Sequence, residues 1–333
     1  MVLLVIHHSF PAIPKEYLHE QALLITQLVS AAKLCVGIFA VLSGYGMYMS
    51  YQKHLQKEDS FLSNSIYMLK HILYIYEIFW LTAIPAIIVV AATRKSMPEI
   101  YGYPTIVHLV LNLAGVSWFT GTPVFVNSWW YISAVLLYYC MFPFVFYMVR
   151  SFKKGNYVVM ALLIAAEAAL PGLSSIPVYG IFFVFGMILA ERDILNRFLA
   201  WEGQNFLIGS LRCILLAMTV VGLILLRQRL LYETRYEYHF DYLIVMPLCL
   251  LAGSFVRWRQ IKIPGLLEFT GILSFPMYII HGCLLKYYGQ VVIKPITPWK
   301  VFLRVYLPSL AIALLVKLLQ RGERKLVKIF MEH

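Results

Sequence analysis

Residues 66–92 read IYMLKHILYIYEIFWLTAIPAIIVVAA, and this stretch decides the fold class. A helix needs about 20 predominantly apolar residues to cross the hydrocarbon core of a bilayer. This stretch is longer than that, and Lys70 and Glu77 are the only Lys, Arg, Asp or Glu residues in it. It therefore predicts a transmembrane helix.

The composition extends this prediction to the whole chain. The 333 residues are 61% hydrophobic and 13% charged, whereas soluble domains are about 45–50% apolar and about 25% charged. We therefore expect an all-α, polytopic bundle of transmembrane helices in the cell membrane (inner or plasma membrane), forming a single membrane domain over residues 1–333. A homo-oligomer is compatible with this reading, and membrane lipids are expected partners.

The formal net charge of +12 would suggest a nucleic-acid partner in a soluble protein. Here the basic residues lie in loops between apolar segments, so they are better explained as cytoplasmic loops facing an anionic leaflet, and we expect no nucleic-acid partner. The five cysteines lie within apolar runs and lack metal-ligand spacing, so we expect no metal site. They are Cys35, Cys140, Cys213, Cys249 and Cys283.

Hydropathy gives nine candidate spans and a weaker segment, 103–120. The nine are 30–51, 66–92, 127–149, 156–172, 177–190, 207–226, 239–257, 266–289 and 301–320. Basic clusters follow five of them. All five clusters can face the cytoplasm only if 103–120 re-enters the membrane or lies at its outer surface. The weakest point of this topology is the basic loop around Arg227, which is placed outside and is partly balanced by Glu237 and Asp241.

The first apolar stretch, MVLLVIHHSFP, ends in His7 and His8. It covers about 15 Å as a helix, roughly half of the hydrocarbon thickness. We infer that the start at Met1 is late and that roughly ten further residues would complete this helix.

Polar residues inside a bilayer are costly and usually face a protein interior or a water-filled cavity. In span 266–289, Thr270, Ser274, Tyr278 and His281 are spaced to share one helical face, and Pro276 should kink the helix. His281 could serve chemistry or simply make an interhelical hydrogen bond.

Two further helices carry polar stripes. Lys70, Tyr74 and Glu77 share a face of span 66–92, where Glu77 would be costly without a partner. It could be functional or could pair with a neighbouring helix for structure. In span 30–51, Lys33 lies on the glycine-bearing face and Ser43 beside it. Close packing is the simpler explanation for Ser43, and snorkelling to the interface is an equal alternative for Lys33.

Several segments, in order along the chain, resemble the membrane-bound acyltransferase-3 family. VGIFAVLSGYGMYMSY at 36–51 is similar to its "FFVLSGFL" segment, and NSWWYISAVLLYYCMFPF at 127–144 to its "WFLSALLLLYLLFP" segment. ILSFPMYIIHGCLL at 272–285 is similar to its "ISYSLYLLHFPLL" segment, and FFVFGMILAERD at 182–193 to its "F-x-x-G-x-x-x-A" helix.

The family's first helix starts with an Arg and, after ten intervening residues, ends with a His. LLVIHH matches its end. The Arg would precede Met1, so the sequence lacks it. The resemblance leaves His7 and His8 open as the matching residue and slightly favours His7.

The resemblance implies O-acyl transfer, usually of acetyl, from cytoplasmic acyl-CoA to a hydroxyl of a cell-surface or lipid-linked glycan. His7 or His8 would be the general base, with His281 and Glu77 as further catalytic candidates. Acceptor or acyl groups would contact the substrate-binding candidates Lys33, Ser43, Tyr74, Trp130, Ser274 and Tyr278. The phosphates of CoA would meet the basic candidates Lys70, Arg150 and Lys153.

Two other classes fit the sequence less well. A proton-coupled transporter or flippase of a lipid-linked sugar would also use intramembrane His and Glu, but no internal repeat is evident. A membrane sensor or assembly protein without chemistry would tolerate the loss of His7 and His8.

Overall fold

A computed structural model describes residues 1–9, 29, 31–151, 155–173, 175–200, 206–231, 234, 237–259, 269, 271–293 and 298–331. Helices make up nearly all of these ranges, and no strand occurs within them. They are α1 (Val2–Ser9), α2 (Leu34–Leu55), α3 (Phe61–Thr93), α4 (Met97–Tyr101), α5 (Thr105–Leu113), α6 (Ser117–Thr120), α7 (Trp130–Ser151), α8 (Gly155–Ala169), α9 (Ser175–Glu191), α10 (Ile194–Ala200), α11 (Phe206–Leu230), α12 (Glu237–Arg259), α13 (Ser274–Ile293) and α14 (Pro298–Met331).

Within the described ranges, five helices are long and apolar enough to cross a membrane. They are Ala31–Leu55, Phe61–Thr93, Asn127–Ser151, Leu207–Leu230 and Trp299–Glu323. Two apolar helices are shorter, Asn156–Ala169 and Ser175–Glu191. The all-α membrane architecture is confirmed. The count of nine spans is not, and it stays a prediction.

The weak segment 103–120 does not form one long helix. It is divided into α5 and α6 by a turn at Gly115, whose φ of +70° lies in the left-handed region that glycine adopts without strain. The longer piece, α5, has nine residues and is therefore about 13 Å long, less than half of the hydrocarbon thickness. This agrees with the expectation that the segment does not cross the bilayer.

The helices group into two compact units. The first comprises Met1–Thr26, Leu69–Leu136 and Leu266–His333, and the second Gln27–Met68 and Leu137–Gly265. The single membrane domain over 1–333 stays a prediction.

The second unit is built on the close packing of α2 against α9. A Cβ placed on Gly44 would overlap the carbonyl oxygen of Phe183, and one on Gly186 would overlap the carbonyl oxygen of Val41. Small residues that let two backbones touch are the usual basis of helix association in membranes, where lipid supplies no hydrophobic driving force. The glycine face of span 30–51 is therefore a packing face.

The second unit also holds a buried ion cluster between α11 and α12. The Arg227 side chain has no exposed surface; its Nε lies 2.5 Å from Asp241 Oδ1 and its Nη2 lies 2.6 Å from Glu237 Oε1. The charge of Arg227 is therefore compensated by these carboxylates. This weakens the main objection to the predicted topology, which was the positive charge of a loop placed outside.

The first unit packs α1 against α13 and α14. Val5 on α1 is completely buried and forms a core with Val301 and Val305 of α14. Tyr288 of α13 packs against the same core. This docking fixes the end of α1 that carries His7 and His8.

The α2–α9 contact predicts opposite effects of two glycine substitutions in one helix. Gly44→Ala should lower stability by about 1–3 kcal/mol, because its Cβ has no room. Gly46→Ala meets no atom within 4 Å and should be neutral or stabilise by up to about 1 kcal/mol through helix propensity. Thermal unfolding of the detergent-solubilised protein measures both, and equal melting temperatures would contradict the close approach.

The ion cluster predicts a contrast between two arginines on α11. Arg227→Gln should destabilise by about 3–5 kcal/mol because it removes the cation that compensates the buried Asp241 carboxylate and the partly buried Glu237 carboxylate. The exposed Arg229→Gln should change stability by no more than about 0.5 kcal/mol. The same unfolding measurement applies, and an equally small effect at both positions would show that Arg227 is not buried with its partners.

Candidate functional site

The polar face of α13 begins at Ser274, two residues before Pro276. The helix is interrupted at Leu273 and resumes at Ser274, because proline has no N–H with which to bond the carbonyl of Ile272. The predicted kink is therefore a break. Beyond it, Ser274 is half-buried and Tyr278 is buried. Thr270, the remaining member of the predicted stripe, lies outside the described residues.

Three histidine rings meet in the first unit. The His8 ring centroid lies 5.1 Å from that of His281, and the His7 centroid lies 4.9 Å from that of His8. The docking of α1 on α13 thus brings together imidazoles that are more than 270 residues apart in the sequence. His7, His8 and His281, three of the predicted catalytic candidates, therefore form one cluster.

His281 is the most enclosed member of this cluster. Its side chain is 0% exposed, and its Nδ1 lies 3.2 Å from the Met277 carbonyl oxygen one turn earlier. Nε2 is buried and has no hydrogen-bond partner among the described residues. A neutral imidazole that donates through Nδ1–H presents an accepting lone pair at Nε2.

The loop before α7 covers this part of α13. Trp129 donates its indole N–H to the Ile279 carbonyl at 2.9 Å, and the Tyr278 hydroxyl donates to the Ser128 carbonyl. A Cβ on Gly282 would come within 2.7 Å of Ser128 Oγ. Because Gly282 has no Cβ, the Ser128 hydroxyl can pack against the helix at the residue that follows His281.

Ser128 Oγ is buried and, like His281 Nε2, has no hydrogen-bond partner in the part of the chain that the structure describes. Ser9, which ends α1 directly after the two histidines, has a third such buried oxygen. Buried polar atoms normally have partners. Three without one, on the three segments that form this site, suggest a place where a polar ligand binds.

Glu77 and Tyr74 contact α14. The Gln320 side-chain amide donates to Glu77 Oε1 at 2.7 Å, and Lys317 Nζ donates to the Tyr74 hydroxyl at 3.2 Å. These contacts give Glu77 the neighbouring-helix pairing that the sequence left open. Lys70, on the same predicted stripe, is exposed.

Lys33 and Ser43 belong to the second unit. Lys33 Nζ donates to the Tyr238 hydroxyl and lies 3.9 Å from the centre of that ring, so it is held by a cation–π contact. Ser43 is half-buried beside the α2–α9 contact, which fits the packing explanation. Their predicted role in binding substrate stays a prediction.

Trp130 is half-buried against Trp118 and Tyr131. With Trp118, it lines a small cavity of about 10 Å³, which is room for about one water molecule. The prediction that Trp130 shapes the path of the acyl donor stays open.

Two of the proposed CoA-binding cations can be placed. Arg150 is exposed at the end of α7, its guanidinium carbon 5.8 Å from the Phe146 ring centre, and Lys70 is exposed on α3. Lys153 lies outside the described residues. Within those residues, no group of three or more His, Cys, Asp or Glu side chains could hold a metal ion.

Sequence reasoning missed Ser128, and it placed Arg227 in a loop, whereas the structure places it on α11. A serine before two tryptophans at the start of a span resembles an interfacial residue, and only the absence of a Cβ at Gly282 places it against α13. Arg227 was assigned to a loop because the carboxylates that pair with it lie beyond the turn.

Comparison with known proteins supplies the family. A family model described as an acyltransferase domain, that of the acyltransferase-3 family, matches residues 1–318. Searches of curated proteins and of solved structures found no match to this chain. Because this match spans nearly the whole chain, the chain belongs to the membrane-bound acyltransferase-3 family.

Proposed function

We propose that this membrane acyltransferase moves an acyl group, expected to be acetyl, from cytoplasmic acyl-CoA to a hydroxyl of a cell-surface or lipid-linked glycan. The cell membrane is the proposed location. The contact of His8 with His281, whose buried Nε2 has no partner among the described residues, carries the proposal. Family membership supports the reaction class.

A histidine of this cluster acts as the general base. A sugar hydroxyl is a poor nucleophile until its proton is removed as it attacks, and a neutral imidazole removes it effectively near pH 7. His281 Nε2 presents a lone pair for this proton, since Nδ1 faces the Met277 carbonyl. The ring contact with His281 favours His8 over His7 as its partner, because the second imidazole can share the positive charge that forms.

The bonds and protons balance without a redox step. The hydroxyl oxygen forms a C–O bond with the thioester carbonyl, and the C–S bond breaks. The proton passes to the imidazole and then to the departing thiolate, giving free CoA. If the acyl group first passes to an enzyme side chain, the histidine still accepts the acceptor's proton in the second transfer.

The Ser128 hydroxyl is a candidate oxyanion donor. The tetrahedral intermediate needs donors aimed at its oxygen in a dry site, and Ser128 Oγ is buried next to the residue after His281. Basic side chains attract the phosphates of CoA, and Lys70, Arg150 and Lys153 are the proposed cations.

Replacing the proposed base tests this function. His281→Gln and His8→Gln should each lower kcat/KM for acyl transfer about 100-fold or more, because general-base catalysis contributes about 10²–10⁴-fold. His7→Gln should lower it less. The measurement is transfer of labelled acetyl from acetyl-CoA to glycan-containing membranes of the host by the purified chain in lipid nanodiscs.

His108→Gln provides the matched control. His108 is half-buried, with Nδ1 2.7 Å from the Tyr101 carbonyl oxygen, away from the three clustered rings in the sequence, and should retain activity. Full activity of both His281→Gln and His8→Gln would contradict a histidine base. Proton-driven sugar uptake by wild-type protein without acyl-CoA, and no acyl transfer, would favour the transporter.

A further inference from the structure

The first unit has an apolar cleft between α3, α13 and α14. Its volume is about 470 Å³, and its walls are formed by six residues within 81–90, four within 280–288 and four within 312–319. Thr82 and Tyr288 are the lining residues that carry a side-chain oxygen. Thr82 donates its hydroxyl to the Ile78 carbonyl of its own helix at 2.8 Å, so the walls offer almost no polar group to a ligand.

The cleft is suited to hydrocarbon rather than to water. A buried water needs two to four polar partners, and these walls do not supply them. An unfilled cleft would forfeit the dispersion contacts of every side chain that lines it. Val89 and Leu315 line it and are 52% and 56% exposed, so among the described residues the cleft opens outward, where lipid surrounds α3 and α14.

The depth of the cleft matches one leaflet. Ten residues of α3, 81–90, extend about 14 Å along the helix axis. The hydrocarbon core is about 30 Å thick, so the cleft has the depth of one lipid chain from a single leaflet.

The Thr93 end of the cleft is positively charged. The Tyr288 hydroxyl lies 2.9 Å from Thr93 Oγ1, and the Arg94 guanidinium carbon lies 4.8 Å from the Tyr288 ring centre. Lys95 follows in the sequence. The nearby Glu99 carboxylate accepts a hydrogen bond from the Ser96 backbone N–H at 2.6 Å.

The opposite end is different. There, Lys317 donates to the Tyr74 hydroxyl, and Gln320 donates to Glu77, so these polar groups bond to one another. At the Thr93 end, by contrast, Arg94 packs directly on Tyr288, which lines the cleft.

We propose that this cleft binds one hydrocarbon chain of an anionic phospholipid, whose phosphate lies at Arg94 and Lys95. In a bilayer the chain gains no hydrophobic free energy by leaving lipid for protein, so the charged end selects the ligand and the walls position it. The proposal is independent of acyl transfer.

Lipid retention tests the proposal. The full chain is reconstituted in nanodiscs containing phosphatidylcholine and phosphatidylglycerol, extracted in mild detergent and analysed by native mass spectrometry. Wild-type protein should retain one phosphatidylglycerol. Ala86→Trp, which fills the cleft, should reduce that retention about tenfold, whereas Ile88→Trp should not, because Ile88 is 60% exposed and does not line the cleft.

Arg94→Gln separates the charge from the cleft. This variant should still retain a lipid but lose the preference for phosphatidylglycerol, and Arg192→Gln, an exposed arginine of the second unit, should keep it. If Ala86→Trp does not fold, Leu315→Trp fills the cleft from the opposite wall. Equal phosphatidylglycerol retention by wild-type protein and the tryptophan variants, or an unchanged preference in Arg94→Gln, would overturn the proposal.

Discussion

Lipid cannot satisfy a polar group, and this constraint determines how the polar residues of this chain are arranged. Arg227 is fully buried between Asp241 and Glu237, and Glu77 accepts a hydrogen bond from Gln320 of the neighbouring helix. Both groups therefore have protein partners. His281 Nε2 and Ser128 Oγ are buried without a partner in the described part of the chain, and both lie where the segment before α7 packs on α13, which makes them candidates for chemistry.

The site exists because α1 is fixed in place. Val5 is completely buried in a core with Val301 and Val305 of α14, and Leu285 and Tyr288 of α13 pack against it. That apolar contact holds His8 against His281. A site assembled from two helices far apart in sequence needs such rigid docking, because an error of 1 Å in the position of a catalytic group can cost about 10²-fold in rate.

The sequence was most informative where one physical rule dominated. Hydropathy over 66–92 predicted a long apolar helix, and α3 covers it. The placement of the basic clusters predicted that 103–120 does not cross, and Gly115 is where its helices separate. The spacing of Ser274, Tyr278 and His281 placed them on one face of a helix that the structure contains.

Pairing between distant segments could not be read from local patterns. Neither Gln320 as the partner of Glu77 nor the approach of Ser128 to Gly282 has a signature within a single helix. The number of spans could not be predicted from hydropathy either. The helices α8 and α9 are apolar but short, and a length near the threshold does not decide whether a segment crosses. Lys33 and Ser43 show the same limit. A polar residue near a glycine-bearing face gives the same local sequence pattern whether the face packs against a helix or binds a ligand.

The central claim is that the histidines of α1 and α13 act as one catalytic unit. A double-mutant cycle on kcat/KM with His8→Gln, His281→Gln and the combined variant tests it most directly. If the two imidazoles work together on one proton, the double variant should lose about as much activity as the more damaged single variant. Losses that multiply, so that the double variant falls by the product of the two single effects, would show that the histidines act independently and would contradict the account.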